Sequence, residues 1–315
     1  MALSEICNTV NAGGNVSVLA SDTFTALTEG EPYLFEASVI ASGSGTVELF
    51  VNSDVTRTNY ETSAVQSDGG KSQGVSSGIK ATPDGSGDVV VIKGIVCLFG
   101  GRPFILAEVV DSGATERCTI QGTVNTSEST ITQLRLVASG SIIADGSYIK
   151  VFPVSDLATT AEVTVSGGAV ATMDTGAFAA LTEGKAYLVF MSYLQTGNGG
   201  RTTDLFINND QTASNYRQGR IRAYGTSGNF STATSIEGSV DGNRAVAFGF
   251  ISVLNSTPTW AVMHYQENTV AGSIYAINLH NSHHPTESDL TRVQLASRTG
   301  SPIDNNSRIL IKEFA

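Results

Sequence analysis

Apolar and polar positions alternate along much of this chain with a period of two. Phe35, Ala37 and Val39 are separated by Glu36 and Ser38, Leu134 and Leu136 flank Arg135, and Val293 and Leu295 flank Gln294. Successive side chains of a strand point to opposite faces, so each stretch predicts a strand with one buried face. Val89 to Phe99 is instead nearly continuous apolar, which predicts a central strand covered on both faces. A turn at Gly100-Gly101-Arg102-Pro103 then leads into Phe104 to Val110, a predicted hairpin. Ala245 to Leu254, a turn at Asn255 to Pro258 and a return through Trp260 to Tyr265 predict a second one. No stretch of about 12 residues keeps a 3.6-residue apolar period, so no helix of ordinary length is expected.

The same pattern occurs twice. Leu49-Phe50-Val51-Asn52-Ser53-Asp54 through Asn59-Tyr60 is echoed by Leu205-Phe206-Ile207-Asn208-Asn209-Asp210 through Asn215-Tyr216. Ala26-Leu27-Thr28-Glu29-Gly30 matches Ala180-Leu181-Thr182-Glu183-Gly184, and Gly94-Ile95-Val96-Cys97-Leu98 matches Gly249-Phe250-Ile251-Ser252-Val253. The copies end alike, at Gly146-Ser147-Tyr148-Ile149 and Asn306-Ser307-Arg308-Ile309. A repeat of nearly half the chain is too long for a solenoid and predicts two copies of a whole domain. The boundary falls near Asp156 to Thr160, giving domains 1–156 and 157–315. Roughly eight strands per copy, with turn signals at short spacing, predict two tandem antiparallel β-sandwich or jelly-roll domains related by internal duplication, all-β in class. Two Ser/Thr/Gly-rich segments, 66–86 and 223–237, are the expected exposed loops.

Composition supports this class. Charged residues are 15% of the 315, glycines number 33, and the 41% apolar content is enough for a core. The net charge of −11 and the lack of a basic cluster argue against nucleic acid as a partner. No apolar run is long enough to span a membrane, and Met1 to Glu5 lacks the basic start of a signal peptide, so cytoplasmic synthesis is expected. Cys7, Cys97 and Cys118 are odd in number and irregular in spacing, which predicts neither a disulfide framework nor a zinc site.

Candidate chemistry is sparse. Asn52, Asp54 and Asn59 offer oxygens to a calcium ion, but the spacing lacks the glycine and closing glutamate of an EF-hand. Asx-turns at a strand end, with Tyr60 anchoring the next segment, are the better reading. Glu29 and Glu183 would need to face each other to act as a glycosidase pair, and as equivalent residues of separate domains they read as turns. His280, His283 and His284 offer metal nitrogens, and His264 is the fourth histidine; the structural reading of 280–284 is a polar loop ahead of Pro285. Asn15, Asn125, Asn229, Asn255 and Asn305 match the N-glycosylation pattern, a frequent coincidence in so Ser/Thr-rich a chain. No nucleophile elbow, P-loop or zincin motif is present. Catalytic, cofactor-binding and metal-binding residues are therefore all expected to be none, and the chain is expected not to be an enzyme.

The Asn-x-Asp…Asn-Tyr element, the later Ile131-Thr132-Gln133-Leu134-Arg135-Leu136 and the terminal Gly146-Ser147-Tyr148-Ile149-Lys150-Val151-Phe152 resemble a β-domain of tailed-bacteriophage virion structural proteins. The resemblance spans both repeats, with Asn306 standing where the family pattern has glycine. It implies a non-enzymatic virion protein, foremost a capsid decoration (cement) or capsid-surface protein. Its partners would be copies of itself, as a trimer or lattice, and other virion proteins. The alternative is a tail or fibre component binding host-surface carbohydrate. That reading wants exposed aromatics in the two long segments, which hold only Tyr224 and Phe230. A polysaccharide depolymerase is the third reading, and it needs two carboxylates in one groove.

Overall fold

A computed structural model describes residues 3–66, 71–75, 77–113, 117–195, 203–223, 243–267, 276–297 and 302–314. The chain divides into two compact units, Met1–Asp156 and Leu157–Ala315. The first contains β1 (Cys7–Val10), β2 (Val18–Ala20), β3 (Pro32–Ser42), β4 (Val47–Val51), β5 (Tyr60–Gln66), β6 (Lys71–Val75), β7 (Ile79–Ala81), β8 (Ser86–Phe99), β9 (Arg102–Asp111), β10 (Arg117–Asn125), β11 (Leu134–Ala138) and β12 (Tyr148–Pro153). The second contains β13 (Ala158–Thr164), β14 (Thr172–Asp174), β15 (Ala186–Gln195), β16 (Thr203–Ile207), β17 (Arg217–Ala223), β18 (Asn243–Val253), β19 (Pro258–Glu267), β20 (Ala276–His283), β21 (Val293–Ser297) and β22 (Arg308–Glu313). The helical elements among the described residues are short 3-10 turns, two of which, Arg57–Asn59 and Ala213–Asn215, matter below.

In the first unit a large sheet runs β1-β12-β3-β8-β9-β10-β5-β6 and a small one β2-β11-β4-β7. Strands β1, β12, β3 and β8 against β2, β11, β4 and β7 form a jelly roll, because the chain alternates between sheets as it advances. The hairpin β9-β10 and the pair β5-β6 extend the large sheet beyond that frame, so the unit has more strands than the eight expected. The second unit repeats the order as β13-β22-β15-β18-β19-β20-β17 and β14-β21-β16. Phe35, Ala37, Val39, Ile92 and Val96 from the large sheet meet Leu49, Val51, Leu134 and Leu136 from the small one. Val189, Met191, Ile309 and Ile311 meet Leu205, Val293 and Leu295 in the second core. The period-two positions therefore face inward as the pattern predicts. In β8 the opposite face is buried as well, at Ile95, Cys97 and Phe99.

The segment 66–86 departs from expectation. It carries β6 and β7 rather than an open loop, and Ile79 and Ala81 of β7 are buried in the core. The edge of β7 away from β4 is covered by a side chain: Gln121 of β10 accepts from the Lys80 N–H at 2.8 Å and donates to the Lys80 carbonyl at 2.6 Å. A bare edge would template pairing with another chain, so this amide blunts it while tying the small sheet to the large one. Of the other expected loop, residues 224–237 lie outside those described, and so do Tyr224, Asn229 and Phe230.

Both predicted hairpins form, with tighter turns than expected. Phe99 pairs with Arg102 around Gly100-Gly101, and Leu254 exchanges two hydrogen bonds with Thr257 around Asn255-Ser256. All four turn residues have positive φ, the type I′ geometry whose twist matches that of the strands. Pro103 and Pro258 consequently sit inside β9 and β19, opposite Leu98 and Val253. Asn306 shares the left-handed conformation of Gly146, with φ of 67° and 85°, so the exchange of glycine for asparagine preserves the turn.

Gly94 and Gly249 occupy the same place in the two large sheets, opposite Ala107 and Val262. A Cβ at Gly94 would lie 2.0 Å from the Leu106 carbonyl oxygen, and one at Gly249 would lie 2.0 Å from that of Ala261. Backbone cannot yield as a flexible side chain does. Gly94→Ala and Gly249→Ala are each expected to destabilise their own unit by about 1–3 kcal/mol or more through forced strand separation. Gly13→Ala, with open space around it, serves as the neutral control in urea denaturation.

Candidate functional site

The recurring Asn-x-Asp…Asn-Tyr element lies where the chain leaves the small sheet at the end of β4 and crosses to β5 at the far side of the large one. Asn52 turns the corner with φ of 54°, a left-handed conformation asparagine tolerates. Its side chain then bonds the connection between β10 and β11. The Nδ2 group donates to Glu128 Oε2 and the Thr130 carbonyl, both at 2.8 Å, while Oδ1 accepts from the Thr132 N–H at 2.9 Å. Two crossovers between sheets are thereby tied together at one corner.

Asp54 completes the tie. Its carboxylate accepts from the Thr56 N–H at 3.0 Å, from Asn59 and Asn125 Nδ2 at 2.9 Å each, and from Ser127 Oγ at 2.8 Å. Tyr60 reaches back to the same corner. Its hydroxyl accepts from the Val51 N–H at 3.0 Å and donates to the Asp54 carbonyl at 2.7 Å, and its ring meets Phe50 edge-on with centroids 5.1 Å apart. Burial pushes the Asp54 carboxyl upward, but the donors from Asn125, Asn59, Thr56 and Ser127 outweigh it and hold the group at about 2. Burial raises the Tyr60 phenol far above its ordinary value, so it stays a donor. The constellation is a hydrogen-bonded clasp built on an Asx-turn, with four donors on the Asp54 carboxylate.

The second unit builds the same clasp. Asn208, with φ of 51°, donates to Glu287 Oε2 at 2.8 Å and accepts from the Thr291 N–H at 2.9 Å. Asp210 accepts from the Thr212 N–H at 2.8 Å and Asn215 Nδ2 at 2.6 Å. The Tyr216 hydroxyl takes the Ile207 N–H at 3.0 Å and donates to the Asp210 carbonyl. One partner differs. Where Asn125 stands in the first unit, His284 stands here, its Nε2 3.0 Å from Asp210 Oδ2 and its ring edge-on to Tyr216 with centroids 4.5 Å apart. Burial raises the Asp210 carboxyl and its hydrogen bonds lower it more, again to about 2.

His284 is fully buried, whereas a polar loop was expected around it. His280 and His283 in fact occupy strand β20, pairing with Arg220 and Arg217, and His264 lies on β19. Among the described residues, Asp210, His284 and Glu287 bring one ligand atom each to within 4.8 Å of one another. Asn125 is 1% exposed and its amide is engaged with Asp54, so its match to the glycosylation pattern is a coincidence of sequence. The cysteines Cys7, Cys97 and Cys118 are free thiols.

Glu29 and Glu183 each close a hairpin inside their own unit. Glu29 accepts from the Gly100 N–H at 2.5 Å and more weakly from Gly101, and Glu183 accepts from the Ser256 N–H at 3.1 Å. The following glycines bond the strand beside the turn, Gly30 to the Leu98 carbonyl and Gly184 to that of Val253. Trp260 is a core residue of β19, stacked edge-on with Tyr216. A groove of about 350 Å³ on the first unit is lined by Glu48, Phe50, Val55, Arg57, Val137 and Ser139. Its Arg57 is held by the buried Glu48 at 2.5 Å, and Phe50 is buried, which leaves it no open aromatic platform.

No family model matches the sequence, and no curated protein matches it. Among solved structures, OccK5 (OpdH) of Pseudomonas aeruginosa aligns with 10% identity and a TM-score of 0.13, over 87% of this chain and 99% of that one. OccAB4 of Acinetobacter baumannii aligns with 7% identity and a TM-score of 0.10, over 91% and 99%. Superpositions at that level carry no argument about this chain.

Replacing either carboxylate tests the clasp. Asp54→Asn and Asp210→Asn are each expected to destabilise their unit by about 1–3 kcal/mol in urea denaturation, because the donors gathered on each carboxylate, among them the buried Asn125 amide and the buried His284 ring, lose a charged acceptor. Both groups lie near 2 in the folded protein against an ordinary 3.8. A depressed folded value makes the contribution complete above about pH 4 and removes it as pH falls through about 2. The Asn variants are expected to flatten the acid limb of stability over that window, as followed by circular dichroism.

Proposed function

We propose that this chain is a non-enzymatic structural protein of a tailed-phage virion, a capsid decoration or capsid-surface protein whose two jelly rolls descend from one duplicated domain. The observation that carries this reading is the repetition of one sandwich, strand order and corner clasp included, in consecutive units of a single chain. Recurring residues are the natural place to look for a shared chemistry. Here Asn52, Asp54 and Tyr60, and Asn208, Asp210 and Tyr216, turn their polar atoms inward onto backbone and neighbours. What has been kept in both units is therefore rigidity, which suits a block that acts through its surfaces.

Two similar blocks in one chain present related contact faces twice, the usual basis of a symmetric lattice. The acidic balance of the sequence suits a subunit that stays dispersed until it docks. The resemblance to virion β-domains supports the same conclusion.

Electron microscopy of purified particles carrying this chain, with its copy number from quantitative mass spectrometry, tests the reading. The expected result is density on the head surface in a copy number set by capsid symmetry. Absence from the particle overturns the virion role, and density confined to the tail overturns the decoration role.

A further inference from the structure

The two clasps differ in a way that changes their chemistry. In the first unit every partner of Asp54 is a donor: the amides of Asn59 and Asn125, the Thr56 N–H and the Ser127 hydroxyl. The atom that Asn125 turns to the carboxylate is an amide N–H, with no nitrogen lone pair to offer a metal. In the second unit His284 replaces Asn125, and Thr286 occupies the place of Ser127. The Thr286 hydroxyl is turned away from the carboxylate to the ring, 3.3 Å from His284 Nδ1. Asp210 thus meets an imidazole nitrogen where Asp54 meets an amide, and the Thr212 side chain, not the residue in the place of Ser127, bonds its carboxylate. Glu287 brings a second carboxylate to the same point, with the three ligand atoms within 4.8 Å of one another.

We infer that Asp210, His284 and Glu287 form a binding site for a divalent transition-metal ion, with zinc the ion of best fit. One imidazole with two carboxylates is a donor set suited to zinc and its neighbours rather than to calcium, which favours oxygen alone. The 3.0 Å between Asp210 Oδ2 and His284 Nε2 spans a zinc ion at bonds of about 2.0–2.1 Å with a small opening of the angle. Thr286 supplies the outer contact that such a histidine needs. With metal bound, Nδ1–H donates to Thr286 Oγ1 and Nε2 offers its lone pair to the ion. Without it, the opposite tautomer lets Nε2–H donate to Asp210, which is the hydrogen bond Asn125 makes in the first unit. Complete burial of the ring keeps it from competing solvent. Bound there, the ion would join the β16–β17 crossover to the β20–β21 connection and stabilise the second unit alone.

Isothermal titration of the full chain with zinc chloride at neutral pH tests this, with cobalt(II) absorption reporting the ligand set. One equivalent per chain is expected, together with a raised melting temperature. His284→Asn gives the second unit the residue that the first unit carries, so the clasp persists while the nitrogen ligand is gone; uptake is expected to vanish with the circular dichroism unchanged. Glu287→Gln, which retains the histidine, is expected to weaken uptake, and Thr286→Val to weaken it about 10–100-fold. His283→Asn, at an exposed neighbouring position, is expected to leave uptake intact. Absence of binding by the unaltered chain, or binding undiminished in His284→Asn, overturns the proposal.

Discussion

A jelly roll must carry its chain back and forth between two sheets, and every crossing leaves backbone N–H and C=O groups without ladder partners. Buried groups of this kind cannot stay unpaired. In this protein the corner after β4, and its counterpart after β16, meet that demand with side chains. Asn52 acts as a piece of backbone: its amide donates to one carbonyl and accepts from one N–H of the β10–β11 connection, as a neighbouring strand would. Asp54 then gathers the donors that remain, and the tyrosine hydroxyl stitches the end of β4 to the turn beyond it. The two sheets keep their register at this end because two separate crossovers have become one hydrogen-bonded body. The apolar core between them can pack tightly only if that register holds.

The rest of each unit is arranged around comparable solutions. The β8–β9 and β18–β19 hairpins are long, and their turn N–H groups are met by Glu29 and Glu183 from the segment preceding β3 and β15. Close approach of β9 to β8 and of β19 to β18 leaves no room for a side chain at Gly94 or Gly249. Three devices therefore recur in both units: an amide that imitates a strand, a carboxylate that holds a hairpin, and a glycine that admits a neighbouring backbone. Each is local. Their joint effect is a sandwich whose strand order survives considerable change in the remaining side chains.

Much of this was legible in the sequence. The period-two runs placed the core faces of β3, β11 and β21, and the doubled Asn-x-Asp…Asn-Tyr marked the corners before any partner was known. The partners were not legible. Asn125 and Ser127 are distant in sequence from Asp54, as Glu128 is from Asn52, and nothing local marks them as contacts. Their counterparts were obscured further because histidine stands where the first unit has asparagine, and the run from His280 read as a loop when His280 to His283 end β20. Segment 66–86 misled for a related reason. Its composition is that of a turn, yet Ile79 and Ala81 complete the small sheet, and the edge they form is closed by Gln121 from far along the chain. A strand of three residues, paired on one edge by β4 and closed on the other by a side chain, carries little periodic signal of its own.

Agreement between the units also gives their differences meaning. At Gly146 and Asn306 both residues hold the same left-handed turn, so that exchange is conformationally silent. At Asn125 and His284 the hydrogen bond to the aspartate is likewise kept, yet the replacement adds a titratable ring with a second nitrogen, and the neighbouring hydroxyl has turned to meet it. That second contact satisfies the Nδ1 of a fully buried ring, which an amide in the same place does not present. The first corner is complete as a network of amide, hydroxyl and backbone donors around two carboxylates, Asp54 and Glu128. The second has the same frame with an imidazole nitrogen converging on its two carboxylates, Asp210 and Glu287. Two copies of one architectural solution thus stand at different distances from chemistry, and the distance is set by one side chain and the hydroxyl beside it.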